Sequence, residues 1–227
     1  MGQFVNLTAS DGFTFPAYVA QPTGTPKGGL VVLQEIFGVN SHIRSVADGY
    51  AADGYFVVAP TTFHRVQAGV ELGYTEADMS TGFGLKTAVE GLPAPGVMND
   101  IQAAIDHAAQ AGKDGFGGYC GGALLPWPPP CQPQALSPAV PFYGGGMTAG
   151  DDATRKPQVP VLAHFGDQDH WIPLDTVEAF RQAQPGVEVQ VYAANHGFNC
   201  DQRGSYDAAA AQLARERTLA FLSRHVG

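Results

Sequence analysis

The chain has 227 residues, enough to bury a sizeable core within one domain. Its formal net charge of −9, with no basic run, argues against a nucleic-acid partner, and no apolar stretch is long enough to cross a bilayer. Three cysteines, an odd number, do not make a disulfide framework, so a reducing cytoplasm is the simplest setting for a reactive thiol.

Met1 to Asn6 carries neither a basic segment nor an apolar core, so no signal peptide is expected, and Asn6 fails the myristoylation pattern. Phe4 to Leu7 and Phe13 to Val19 flank Ser10-Asp11-Gly12, a hairpin signal. Gly29 to Leu33 is a short apolar strand running into Gln34-Glu35-Ile36-Phe37-Gly38-Val39-Asn40. His42 to Ala52 has helical spacing and stops at Asp53-Gly54. Tyr55 to Ala59 reads as a buried strand closed by Pro60. Thr61 to Leu85, rich in glycine and polar residues, reads as a long irregular connection, a kind of segment that is often functional.

Val97 to Ala111 is helical and ends at Gly112. Lys113 to Gly118 should supply a central strand, yet it is poor in β-branched residues. Ala139 to Tyr143 is a strand before Gly144-Gly145-Gly146, and Val159 to Phe165 is an apolar strand. Leu174 to Ala183 is a helix, Val187 to Tyr192 alternates as a strand, and Ser205 to His225 is a helix. This alternation predicts an α/β fold, a mostly parallel sheet with helices on both faces, in a single domain over residues 1–227.

The chemistry concentrates at strand ends. Gly118-Tyr119-Cys120-Gly121-Gly122 reads as G-x-C-x-G, the nucleophile-elbow pattern with cysteine in the serine position. A strand turning sharply into a helix would expose the Cys120 side chain, and the helix dipole behind the sulfur would favour thiolate. An acid turn, Gly166-Asp167-Gln168-Asp169-His170-Trp171, follows the next apolar strand. His196 follows the strand after that, in Ala194-Asn195-His196-Gly197-Phe198. Nucleophile, acid, histidine is the order of the α/β-hydrolases, whose sites lie at the carboxyl ends of strands.

Cys120 is therefore the candidate nucleophile, His196 the base and Asp169 the acid that orients it. The bland readings are a buried core cysteine and a loop histidine that bonds only locally. Asp167 competes for the acid role, and His164 and His170 for the base, the first from inside an apolar strand and the second from beside the acid. A metal site from Cys120, Cys131 and Cys200 lacks CxxC or HxxxH spacing, and the glycines from Gly115 to Gly122 do not form G-x-G-x-x-G, so no metal or cofactor is expected.

Gln34 to Asn40, Gly118-Tyr119-Cys120, the Asp169-His170 turn, His196-Gly197-Phe198 and Ala214 to Leu222 together resemble the dienelactone hydrolase (carboxymethylenebutenolidase) family. The resemblance spans nearly the whole chain. It implies an α/β-hydrolase fold without a large cap domain. It implies opening of an enol-lactone or ester, a small-molecule substrate, through a cysteine acyl-enzyme in catechol-type aromatic degradation. It also favours Asp169 over Asp167 and makes Ile36 the second oxyanion-hole donor beside Gly121. It gives Glu35 a role in governing when the thiol ionises, which suits the rule that a carboxylate opposes a nearby thiolate.

Two departures stand out. The family holds its substrate's carboxylate with two arginines. No arginine lies near Met79 to Gly82, and Cys200 stands four residues after His196. Arg203 and Phe37 are the candidate substrate contacts, with Arg44, Arg65 and Lys86 as cations without positional support. An altered or broader acyl substrate is the expectation. Pro126, Pro128, Pro129 and Pro130 also follow the elbow closely, and a helix cannot run through them undisturbed. Either that helix ends after about one turn, or the recorded residues differ from the natural ones. The second reading, which we favour, expects a continuous helix after Cys120. Two other functions share these residues: a broad carboxylesterase or thioesterase with the same triad, and a non-catalytic binding module on the same fold.

Overall fold

A computed structural model describes residues 1–119 and 138–227. Internal contacts divide the chain into two compact units, Met1–Phe116 with Val226–Gly227, and Gly117–His225.

In the first unit, β1 (Gln3–Thr8) and β2 (Thr14–Ala20) form an antiparallel hairpin. Its turn is made locally: the Asp11 carboxylate accepts the Phe13 N–H at 3.1 Å. β2 pairs antiparallel with β4 (Phe56–Pro60), and β4 pairs parallel with β3 (Gly29–Leu33). The order is β1-β2-β4-β3. All five residues of β3 are buried, which is why its sequence is an unbroken apolar run. Helix α1 (Ser41–Ala52) is capped by Asn40, whose side chain accepts the Ile43 N–H at 3.3 Å, and packs on β4 and β2. Helix α3 (Val97–Ala108) continues as one 3₁₀ turn to Ala111 and packs on β3, β4 and β1.

The segment from Thr61 to Leu85 is more ordered than its composition suggests. It contains the start of α2 (Glu76–Glu90), opened by a capping box in which Thr75 and Asp78 satisfy each other's backbone N–H groups. Two glycines, Gly82 and Gly84, and a weak apolar stripe hide this helix from a periodicity search. Gly82 is where α2 passes the loop after β3, so close that a Cβ there would run into the Ile36 carbonyl oxygen. Upstream, Arg65 binds the buried Asp100 of α3 through Nε and Nη2 at 2.8 and 2.7 Å, and Asp11 of the hairpin through Nη1 at 2.8 Å. Burial pushes the Asp100 carboxyl up, and the guanidinium draws it part of the way back.

In the second unit, β6 (Ala139–Phe142), β7 (Val161–Gly166) and β8 (Val187–Tyr192) run parallel in that order, with α4 (Leu174–Ala183) joining β7 to β8 and α5 (Ala208–His225) packing on β7. The strand β5 (Asp114–Tyr119), whose residues up to Phe116 belong to the first unit, forms despite its glycines. Several ends differ from the sequence reading, two of them for a clear local reason. β6 stops at Phe142, because Tyr143 adopts a left-handed backbone, φ +38°. α5 starts at Ala208 and not at Ser205, because Asp207 takes the capping position and accepts the Ala210 N–H at 2.8 Å. The expected elbow helix and the proline run fall within 120–137 and lie outside the described residues. Among the described residues no helix is long and apolar enough to cross a membrane.

Candidate active site

The acid and the histidine come together in the second unit. β7 and β8 are parallel neighbours, so their carboxyl ends place Asp169 and His196 side by side, although 27 positions separate them. Main-chain bonds join the two loops: Asp167 N–H donates to the Tyr192 carbonyl at 2.9 Å, and Gln168 N–H to the Ala194 carbonyl at 3.1 Å.

Asp169 is buried with both oxygens engaged. Oδ1 accepts the Trp171 N–H at 2.8 Å and the Ile172 N–H at 3.2 Å, and Oδ2 lies 2.7 Å from His196 Nδ1. An ionised carboxylate only accepts, so Nδ1 carries the ring proton and Nε2 keeps its lone pair. An imidazole held in this way can accept a proton at Nε2, and a carboxylate behind it would stabilise the imidazolium so formed. His196 is buried too, which keeps water from weakening that pairing.

The other sequence candidates for acid and base are not part of this pair. Asp167 and His170 are exposed on either side of Asp169. His164 is buried inside β7, with Nδ1 2.7 Å from the Tyr192 hydroxyl, Nε2 3.0 Å from Thr218 Oγ1 and its ring stacked on Phe142. Burial and the Arg217 charge pull its pKa down to about 3, so it stays neutral within a polar network of the core.

Arg203 is half-buried on the loop that carries His196. A Cβ built at Gly197, the residue after the histidine, would fall 2.5 Å from Arg203 Nη1, and Gly197 itself has φ +79°. A side chain there would be strained and would displace the guanidinium. Among the further cations, Arg44 pairs with Glu71 at 2.6 Å, Arg65 with Asp100, and Lys86 with Glu90 at 2.7 Å.

In the first unit, Glu35, Ile36 and Phe37 follow β3 after Gln34 and are all buried, with the Phe37 ring edge-on to Tyr74 at 4.6 Å. Cys120 and Gly121 lie outside the described residues. Tyr143, which the sequence presented only as the last residue of a strand, proves to touch the histidine, its ring centroid 5.1 Å from that of His196. Nothing in its neighbourhood of apolar residues and glycines marks it in advance.

The dienelactone hydrolase family model matches residues 15–226. The carboxymethylenebutenolidases of Pseudomonas putida and Pseudomonas knackmussii are each 32% identical over 228 residues, covering 96% of this chain and 95% of theirs. A structure from Klebsiella pneumoniae subsp. pneumoniae, provisionally named a dienelactone hydrolase, superposes with a TM-score of 0.83 at 29% identity over 99% of this chain and 98% of that one. The dienelactone hydrolase-like promiscuous phosphotriesterase P91 from metagenomic libraries superposes with a TM-score of 0.71 at 23% identity, over 100% and 99%, and speaks for the fold alone. The architecture is thus that of an α/β-hydrolase and the activity is hydrolysis of a carboxylic ester or lactone. By its sequence over nearly its full length, the chain belongs to the dienelactone hydrolase family.

Proposed function

We propose that this protein opens an enol-lactone or ester ring through a cysteine acyl-enzyme, in the breakdown of catechol-type aromatic compounds. The observation that carries the reading is the buried Asp169–His196 pair at 2.7 Å, which leaves Nε2 as a base. In this reading His196 takes the Cys120 thiol proton, the thiolate adds to the acyl carbonyl, and the alkoxide or enolate leaves as the thioester forms. His196 then activates water, which adds to the thioester and returns the thiol. Ile36 and Gly121 N–H groups hold the oxyanion, and Glu35 governs thiol ionisation.

Pre-steady-state turnover of p-nitrophenyl acetate tests this. The unmutated protein should show a burst that Cys120→Ala abolishes. A burst surviving in Cys120→Ala would overturn the cysteine mechanism, and absence of any burst in the parent would favour a binding module.

A broader carboxylesterase is the second reading. It is favoured by the absence of arginine between Met79 and Gly82 and by Cys200 four residues after His196. In the lactonase reading Arg203, beside Gly197 on the histidine loop, meets the substrate carboxylate. Turnover of dienelactone against uncharged aryl esters, in the parent and in Arg203→Gln, decides between them. A strong dienelactone preference that Arg203→Gln removes supports the lactonase; equal turnover of both classes supports the esterase.

A further inference from the structure

At the carboxyl end of β6 the backbone turns left-handed at Tyr143, φ +38°, with Gly144, Gly145 and Gly146 immediately after it. A residue with a Cβ is strained in that conformation and glycine is not. The side chain kept there at that cost is completely buried. Its ring lies 5.1 Å from the His196 imidazole, tilted by 57°, and 5.5 Å from Phe198, edge-on at 74°. The Tyr143 N–H donates to the His164 carbonyl at 2.7 Å, which ties the strained residue to β7. Phe198 in turn packs on Tyr192 at 5.2 Å, and Tyr192 is hydrogen-bonded to His164, so the tyrosine is held from two directions by fixed core groups.

Asp169 holds the His196 ring at one atom, Nδ1. A hydrogen bond tolerates a spread of distances and angles, so the imidazole can still librate about χ1 and χ2, which shifts Nε2. A rigid aromatic ring packed against the imidazole takes that freedom away. We propose that Tyr143 is a positioning residue for the base: its ring, fixed by a strained backbone and by Phe198, sets the tilt of His196 and hence the aim of Nε2. The proposal rests on the reading of His196 as the base. It explains why a tyrosine occupies a position whose backbone conformation suits glycine.

The test compares Tyr143→Leu, Tyr143→Phe and Tyr143→Gly, with His196→Ala as the control for the base itself, in steady-state turnover of p-nitrophenyl acetate by folded protein isolated by gel filtration. Tyr143→Leu should lower kcat by about 10- to 100-fold with KM little changed, the signature of a misaimed group and not of lost binding. Tyr143→Phe, which keeps the ring, should recover most of that loss. Tyr143→Gly relieves the backbone strain yet should be as slow as Tyr143→Leu, which separates aim from stability. Parent-like kcat in both Tyr143→Leu and Tyr143→Gly, or a raised KM with kcat intact, would overturn the proposal while an inactive His196→Ala leaves the base reading standing. An active His196→Ala would sink both.

Discussion

Replacing Asp169 by asparagine removes one charge and almost no volume. Oδ1 already serves two main-chain donors, Trp171 N–H and Ile172 N–H, so the asparagine oxygen takes that side. Its NH₂ then faces His196 Nδ1, which must become the acceptor, and the ring proton moves to Nε2. That tautomer cannot take a proton from a thiol. The electrostatic part alone is large. Carboxylate and imidazolium charge centres roughly 4 Å apart interact by about 4 kcal/mol at an effective permittivity near 20. At about 1.4 kcal/mol per factor of ten, that corresponds to roughly a 1000-fold fall in kcat. The assay is steady-state hydrolysis of an aryl ester at saturation, with thermal melting to show that the variant is folded. Asp167→Asn is the control, because Asp167 is exposed and bonds the neighbouring loop through its main chain. A folded Asp169→Asn whose kcat stays within about fivefold of the parent would refute the assignment.

Arg65→Ala leaves the wholly buried Asp100 carboxylate without its guanidinium and should cost about 3–5 kcal/mol in urea unfolding at neutral pH. Burial raises the Asp100 carboxyl in the folded state, so the folded variant binds its proton more tightly than the unfolded chain does, and the deficit should shrink as pH falls. Asp11 runs the other way: its hydrogen bond from Arg65 lowers it from 3.8 to about 2, so the stability it adds is present above 3.8 and is lost as pH falls toward 2. Asp11→Asn should therefore flatten the acid-unfolding curve in that window; an unchanged curve would count against the pairing. Gly82→Ala drives a Cβ into the Ile36 carbonyl and, if Ile36 is the proposed oxyanion donor, should lower kcat by about tenfold or more by moving its loop. Gly84→Ala, on an open face of the same helix, should instead stabilise by about 0.5–1 kcal/mol. Equal kcat in the two alanine variants would remove Ile36 from the mechanism.

Much of the site was legible because it follows from order along the chain. Asp169 and His196 each end an apolar or alternating run, and parallel pairing of consecutive strands brings such ends together without further information. Glycine-rich α2 was not legible by periodicity, although Thr75 and Asp78 carried the signal in their three-residue spacing. The commitment of Arg65 to Asp100 depends on a pairing 35 positions apart, which no local pattern announces. Tyr143 was hidden for a different reason. An aromatic residue after an apolar strand reads as its continuation, and only coordinates reveal a positive φ.

The two main-chain bonds that stitch the acid loop to the histidine loop have a consequence for motion. Asp169 and His196 ride on segments joined in this way, so in hydrogen exchange the Asp167 and Gln168 amides should open in one cooperative event. A pair held in this way pays little reorganisation energy when charge appears on the imidazole. Any adjustment made as a substrate enters therefore falls to groups outside that block.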